Sequence, residues 1–228
     1  MIGKLKLKLM QRRAFSAYAA GEFEKARRLF RRLLQAQPEA AGMRHNLALT
    51  HIALGDYDEA EELLLTELEN FGEYYPRVRV LADLYYAAGN REQSREFYER
   101  SLEAEAPEED VALIRKRIEI TSDADAFATV MQAHEAFADG NRLMDEKRWE
   151  EAIEEFARAA ECDETNVHAL NNAGTIYLNN LENPAAAVDC FRRALRWAKL
   201  PWVVRNLEQA EKAAAEAQQT GQKADAEA

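Results

Sequence analysis

The sequence has few residues that end helices and few that favour strands. Its 228 residues include only five prolines and nine glycines, and β-branched residues are scarce beside alanine, glutamate, leucine and arginine. Those four residue types lose little side-chain freedom in a helix, whereas β-branched side chains favour strands. The composition therefore predicts an all-α protein, and no segment of the sequence is a convincing strand.

Long apolar runs and clustered cysteines are also missing. No run approaches the roughly 20 apolar residues that cross a bilayer, and lysines interrupt every apolar stretch of the first 15 residues, which therefore lack the apolar region of a secretory signal. The two cysteines, Cys162 and Cys190, are not at metal-ligand spacing and are expected to be reduced thiols. The sequence predicts a cytoplasmic protein with no integral membrane span.

The charge is acidic overall but unevenly distributed. The net charge is −11, which argues against a nucleic-acid partner because binding to phosphates needs a basic surface. Residues 1–32 nevertheless carry ten Lys or Arg against two Glu, a net of +8. The remainder carries 20 basic against 39 acidic residues, a net of −19. This division predicts a positive electrostatic potential around residues 1–32 and a negative potential around the rest of the chain.

An internal repeat determines the predicted fold. Five segments begin with a turn and a polar first helical turn, followed by a small residue and, four positions later, a large apolar one. The small residues, 34, 34, 58 and 35 positions apart, are Ala26, Ala60, Ser94, Ala152 and Ala187. The large ones are Phe30, Leu64, Tyr98, Phe156 and Phe191. Each segment follows a partner helix that has its own small residue, namely Ala14, Ala48, Ala82, Gly140 or Gly174.

This pattern resembles the tetratricopeptide repeat, in which small residues allow two antiparallel helices to approach closely. The fifth unit matches it as Leu170-x2-Ala173-Gly174-x2-Tyr177, followed by Ala187-x3-Phe191. The resemblance covers roughly 170 residues. It implies a right-handed α-solenoid of about five hairpins with capping helices.

The 58-residue spacing between Ser94 and Ala152 marks a domain boundary. Residues 108–121 follow Pro107 and are predicted to cover the exposed apolar end of the first three hairpins. Ser122 is predicted to cap one long helix over 124–147. We therefore expect three hairpins and a capping helix in residues 1–121, two hairpins and a C-terminal capping helix in 122–217, and a disordered tail in 218–228.

The sequence contains no pattern typical of an active site. The four histidines are dispersed, no glycine-rich phosphate loop follows a strand, and the acidic clusters fall on first helical turns, where carboxylates favour the positive end of the helix dipole. We therefore expect a protein that is not an enzyme and needs no cofactor or metal.

The resemblance also implies where a partner binds. In the family the first helix of each hairpin lines the concave groove, mainly through positions 2, 5, 9, 12 and 13 of each unit. In the first module these positions give Lys8, Gln11, Phe15, Tyr18, His45, Leu49, Arg79, Asp83 and Tyr86. In the second module they give Phe137, Asn141, Met144, His168, Asn171 and Thr175, with Asn172 beside them. Ordinary packing between helices is the alternative interpretation for the apolar members.

Two further binding hypotheses concern charge. Asn141 and Asn172 resemble half of the carboxylate clamp of co-chaperones, but Phe137 stands at the clamp's first lysine position. The clamp's later basic pair falls near Val203 and Leu207, with Arg205 between them. Without cations a carboxylate would be poorly compensated there. The basic N-terminus could instead dock on an acidic membrane or on another copy of the chain, which would give a homo-oligomer.

From these observations the predicted function is a non-catalytic scaffold or adaptor that binds a peptide or protein segment in the concave groove. Two alternatives stay open at this point. One is a chaperone for an exported or assembling protein, and the other is a regulatory subunit of an enzyme complex.

Overall fold

The computed structural model describes the backbone of residues 3–227 and the side chains of residues 3–219. The described residues form twelve α-helices and no strand, so the all-α prediction is confirmed. None of these helices is long and apolar enough to cross a membrane. The chain divides into two compact units, Met1–Ala106 (unit 1) and Pro107–Ala228 (unit 2).

Unit 1 consists of three successive helical hairpins, in which neighbouring helices pack against each other. In chain order its helices are Lys4–Ala19 (α1), Phe23–Ala36 (α2), Met43–Leu54 (α3), Tyr57–Phe71 (α4), Tyr75–Ala87 (α5) and Arg91–Glu103 (α6).

Unit 2 consists of a leading helix, two hairpins and a long final helix that packs against the second hairpin. Its helices are Glu108–Ser122 (α7), Ala124–Asp145 (α8), Trp149–Cys162 (α9), Val167–Asn179 (α10), Pro184–Leu195 (α11) and Pro201–Glu227 (α12). Both cysteines are free thiols, and burial raises the pKa of Cys190 to about 11, which leaves it un-ionised at neutral pH.

The small residues of the repeat lie where paired helices touch, as the sequence predicts. All five of them are fully buried: Ala26, Ala60, Ser94, Ala152 and Ala187. The hydroxyl of Ser94 in α6 donates to the carbonyl oxygen of Ala82 in α5 over 3.3 Å. That contact brings one helix directly onto the backbone of the other, and a side chain larger than alanine or serine would separate them.

The large residues of the repeat pack within their own hairpin and also belong to cores that reach the next helix. Phe156 of α9 lies against Gly140 of α8, and the core cluster that contains it includes Ile176 of α10, in the next hairpin. A Cβ atom on Gly140 would lie 2.7 Å from the Phe156 ring, and a Cβ on Gly174 would lie 2.7 Å from the Phe191 ring. These glycines therefore make room for buried aromatic rings of the paired helix.

Every hairpin turn contains one residue with a left-handed backbone at the same repeat position. That residue is glycine in unit 1, with φ between 74° and 81° at Gly21, Gly55 and Gly89. In unit 2 the position is occupied by Lys147 (φ 61°) and Glu182 (φ 49°). Side chains disfavour this conformation, so the two turns of unit 2 are strained where those of unit 1 are not.

The junction between α7 and α8 differs from the prediction by one residue. Asp123, not Ser122, caps α8, because its backbone is extended and its carboxylate accepts from the backbone N–H groups of Asp125 (2.8 Å) and Ala126 (3.0 Å). Ser122 instead ends α7, where its hydroxyl donates to the carbonyl oxygen of Ile118 over 2.6 Å. An ionised carboxylate is the stronger acceptor at a helix N-terminus.

Helix α7 belongs to unit 2 by its contacts. It packs against α8, the Lys116 ammonium pairs with Glu164 over 3.0 Å, and the Arg117 guanidinium donates to the Thr165 hydroxyl over 3.3 Å. The compact units divide at Ala106, before the boundary at residue 121 that the sequence indicates. The domain assignment 1–121 and 122–217 stays a prediction, as does the tail 218–228, most of whose side chains lie outside the described residues.

Candidate functional site

The predicted site of unit 2 contains a row of asparagine side chains that crosses three helices. Asn206 of α12 donates to the side-chain oxygen of Asn171 in α10 over 3.0 Å, and Asn171 donates to its neighbour Asn172 over 3.5 Å. Asn172 then donates to the side-chain oxygen of Asn141 in α8 over 3.0 Å. We call these four half-buried residues the amide row.

The amide row keeps unused hydrogen-bonding capacity. An asparagine offers two N–H donors and an oxygen with two lone pairs, whereas each of these links uses one donor and one lone pair. Asn206, Asn171 and Asn172 each retain one N–H, Asn141 retains two, and every oxygen can accept again. Such a row matches a peptide backbone, which presents alternating N–H and C=O groups.

Apolar side chains adjoin the amide row. Phe137 and Met144, four residues before and three after Asn141 on α8, are half-buried and pack on a hydrophobic core that α8, α9, α10 and α11 build. The rings of Phe137 and Phe156 lie 5.8 Å apart at a tilted angle. These two positions therefore combine packing within the hairpin with a half-exposed apolar surface, which is the place for an aliphatic or aromatic side chain of a ligand.

Two other predicted residues of unit 2, Thr175 and His168, occupy simpler environments. Thr175 donates its hydroxyl to the backbone oxygen of Asn171 within α10, over 2.8 Å. His168 is exposed, one residue after the start of α10. The two α12 positions considered for a carboxylate clamp hold aliphatic side chains, the buried Val203 and the half-buried Leu207. Neither position therefore supplies a cation.

Asn206 is the member of the row that the sequence analysis missed. The sequence predicts α12 only as a covering helix. The turn between α10 and α11 contains one extra residue, so a constant 34-residue spacing does not place Asn206 opposite Asn171. Asn183 donates its N–H to the carbonyl oxygen of Tyr177, six residues back, whereas the equivalent bond of the preceding hairpin joins Arg148 to Leu143, five residues back. With that insertion included, the repeat continues into α12, and Asn206 falls at the position of Asn171.

In unit 1 the predicted polar residues of α5 are engaged with each other. The guanidinium of Arg79 donates to the Asp83 carboxylate over 3.2 Å, and the Tyr98 hydroxyl donates to the same carboxylate over 2.6 Å. The Arg79 side chain is only 13% exposed. Its charge is therefore compensated inside unit 1 and contributes less to a basic groove than the sequence suggests.

Tyr86 differs from the predicted exposed position. It is 3% exposed, and its ring meets that of Tyr98 edge to face at 6.1 Å. It therefore belongs to the core of unit 1, because the twelfth position of this repeat points at the paired helix α6. Tyr18, at the corresponding position of α1, is only half-buried and packs edge to face on Phe23 at 5.5 Å.

The remaining predicted residues of unit 1 are accessible to different degrees. Lys8 is exposed, Gln11 and Leu49 are half-buried, and Phe15 is 43% exposed with one edge on Phe30. Burial lowers the pKa of His45, an effect that the Glu67 carboxylate opposes and the Arg77 guanidinium reinforces. His45 is therefore neutral at physiological pH and can both donate and accept a hydrogen bond.

No group of three or more metal-ligating side chains is found within the described residues. The half-buried amides, apolar side chains and one neutral imidazole at the predicted positions are groups suited to holding a polypeptide.

Comparison with protein-family models supports this architecture. Models described as Tetratricopeptide repeat match residues 17–78, 80–107 and 137–201. No match is found among curated proteins. Similar solved structures include the TPR2AB domain of yeast Sti1 in a complex with pHSP90, at 16% identity over 98% of this chain and 96% of that chain, with a TM-score of 0.48.

Two further structures are similar at the same level. YrrB, a TPR protein with an unusual peptide-binding site, is 18% identical over 86% of this chain and 88% of its own, with a TM-score of 0.42. MamA from Desulfovibrio magneticus is 15% identical over 86% and 97%, also with a TM-score of 0.42. The three family models lie in both compact units and cover most of the hairpins described above. The chain belongs to the tetratricopeptide repeat family.

Proposed function

We propose that this protein is a non-catalytic scaffold that binds an extended segment of a partner protein along the first helices of its repeats. The tetratricopeptide fold is typically a protein-interaction module, and the finer assignment depends on the amide row. The row links α8, α10 and α12 through three side-chain hydrogen bonds. It offers both donors and acceptors, which an extended backbone requires, and it carries no charge that would select a ligand.

The chemistry of the row favours a neutral stretch of backbone over a terminal carboxylate. The four amides carry no net charge, and Phe137 occupies the place where a clamp would need a cation. Phe137 and Met144 add an apolar surface beside the row. We therefore expect a ligand with a hydrophobic anchor residue next to an extended segment, with the anchor supplying most of the affinity and the amides the orientation.

The test is to select binders from a random peptide library with the full-length protein and to measure their affinity by calorimetry. Asn172 donates to one neighbour and accepts from the other, so Asn172→Ala removes two links of the row. A neutral hydrogen bond contributes about 1 kcal/mol, and we expect affinity to fall about threefold to tenfold.

Asn180→Ala is the matched control, because Asn180 is an exposed residue directly after the same helix, outside the row and at none of the groove positions. It should leave the affinity unchanged, and both variants should melt near the parent temperature. Equal affinities for the Asn172→Ala protein and the parent, for every selected peptide, would show that the row does not bind the ligand.

A further inference from the structure

A second surface lies on the first hairpin of unit 1. A groove between α1 and α2 is lined by residues of these two helices alone, and its floor is formed by Leu9, Met10 and Leu29. With about 100° between successive helix residues, Leu9 lies roughly 120° around α1 from Phe15, and none of the predicted binding residues of α1 lines this groove. The α1–α2 groove is therefore separate from the peptide surface proposed above.

Unpaired cations surround this apolar floor. Five exposed residues in or beside the groove form no salt bridge within the part of the chain that the structure describes: Lys6, Arg13, Arg28, Arg31 and Arg32. The apolar atoms are also accessible, since Leu9 is 49% exposed. The groove thus combines an exposed apolar floor with a rim of uncompensated positive charge. A ligand that buries the floor and pairs with the cations would have to be both apolar and acidic.

Arg27 of α2, which faces the second hairpin, is paired with carboxylates. Arg27 donates to Asp56, in the turn of the second hairpin, over 2.9 Å, and also to Glu24 over 2.7 Å. Carboxylates are therefore supplied where α2 meets its neighbour in unit 1. Of the cations that line the groove, Lys25 alone pairs with a carboxylate within the described residues, that of Glu22, although residues 37–228 carry a large excess of acidic groups.

We propose that the α1–α2 groove binds an acidic amphipathic helix of a partner protein. Two packed helices present a groove into which the side-chain ridge of a third helix fits, as when each repeat covers the end of the one before it. The apolar stripe of the partner would cover Leu9, Met10 and Leu29. Its glutamates or aspartates would pair with the arginines, whose planar guanidinium groups bind carboxylates through two hydrogen bonds.

Two other anionic surfaces fit the groove less well. A flat bilayer would meet the cationic rim before the floor, because Met10 and Leu29 are half-buried between the two helices. A single-stranded nucleic acid binds by stacking its bases on aromatic rings, and no aromatic residue lines the groove. A helix with apolar and acidic residues on one face satisfies both the floor and the rim.

The experiment uses the full-length protein and a fluorescently labelled synthetic helix with leucine at i, i+3, i+4 and i+7 and glutamate at the flanking positions. A second peptide has glutamine in place of every glutamate. Fluorescence anisotropy is measured at low and high ionic strength. We expect the acidic peptide to bind about tenfold more tightly than the neutral one at low salt, and this advantage to shrink as salt screens the charges.

Neighbouring residues provide matched variants. Arg13 lines the groove and Arg12 does not, although both are exposed on α1. Arg13→Glu should weaken the acidic peptide about tenfold, whereas Arg12→Glu, with the same change in net charge, should weaken it by about twofold or less. Leu9→Ser should weaken both peptides, whereas Leu5→Ser, at a residue 81% exposed and outside the groove, should not.

Three results would overturn the proposal. Equal losses for Arg12→Glu and Arg13→Glu would indicate unspecific attraction to a basic segment. Binding to phosphatidylserine vesicles that depends on Arg13, without binding of the acidic peptide, would assign the groove to a membrane. Sedimentation of a dimer that Arg13→Glu dissociates would show that a second copy of the chain is the occupant. Circular dichroism of each variant confirms that it folds.

Discussion

At the scale of single residues, the close contact between glycine and an aromatic ring is the most restrictive feature of unit 2. Phe191 is fully buried, and its ring packs directly on Gly174. A Cβ atom added to Gly174 would lie 2.7 Å from a carbon of this ring. A buried ring has no free direction in which to move, so an added methyl group must separate α10 from α11.

We therefore expect Gly174→Ala to lower the free energy of unfolding by about 1–2 kcal/mol, because overpacking outweighs the gain in helix propensity. Thermal or urea unfolding measures this. In a Phe191→Leu background, where the ring is absent, the same substitution should cost nothing or stabilise. Additive effects of the two substitutions would contradict the contact.

Sequence periodicity predicts which positions are small and buried, since an alanine every 34 residues has no other simple cause. It does not predict which side chains bond across helices. The four amides of the row meet because α8, α10 and α12 lie side by side. Asn206 could not be predicted as a member of the row, because one extra residue in the turn between α10 and α11 shifts the repeat spacing. Tyr86 was misplaced for a related reason: position 12 of α5 points inward, whereas Tyr18 at position 12 of α1 is half-exposed.

At the scale of helices and turns, the two units place different residue types at the left-handed position of the hairpin turn. The five left-handed turn residues stand five positions before the small residue of each hairpin. A residue with a Cβ atom costs about 1–2 kcal/mol in this conformation, whereas glycine has no such cost. Lys147 and Glu182 therefore hold strain that the glycines of unit 1 avoid.

Lys147→Gly is expected to stabilise unit 2 by about 0.5–1 kcal/mol, after subtraction of the extra freedom that glycine has in the unfolded chain. Thermal unfolding measures the shift. Lys147→Ala is the control, because it removes the lysine side chain but keeps the Cβ atom, and it should give no gain. Gly55→Ala, at the same turn position in unit 1, should destabilise by about 1 kcal/mol. A stabilising Lys147→Ala would show that the side chain, not the backbone, is at fault.

At the scale of the whole molecule, charge and packing divide the chain differently. The basic residues concentrate in the first hairpin of unit 1, and the acidic excess extends over the rest of the chain. Salt therefore affects binding at the α1–α2 groove more than binding at the neutral amide row of unit 2. The division into compact units depends instead on which helices pack together, and α7 is the helix whose assignment differs between sequence and structure.

The assignment of α7 can be tested with fragments. Because α7 packs on α8 and contacts Glu164 and Thr165, residues 107–228 should form a more stable unit than residues 122–228. We expect the shorter fragment to lose about 2 kcal/mol or more, the scale of one buried aliphatic side chain. Extending residues 1–106 to 1–121 should add no comparable stability. Urea unfolding of the four fragments, followed by circular dichroism, measures both differences. If residues 108–121 instead stabilise the first fragment and not the second, α7 is the cover of unit 1 that the sequence predicts.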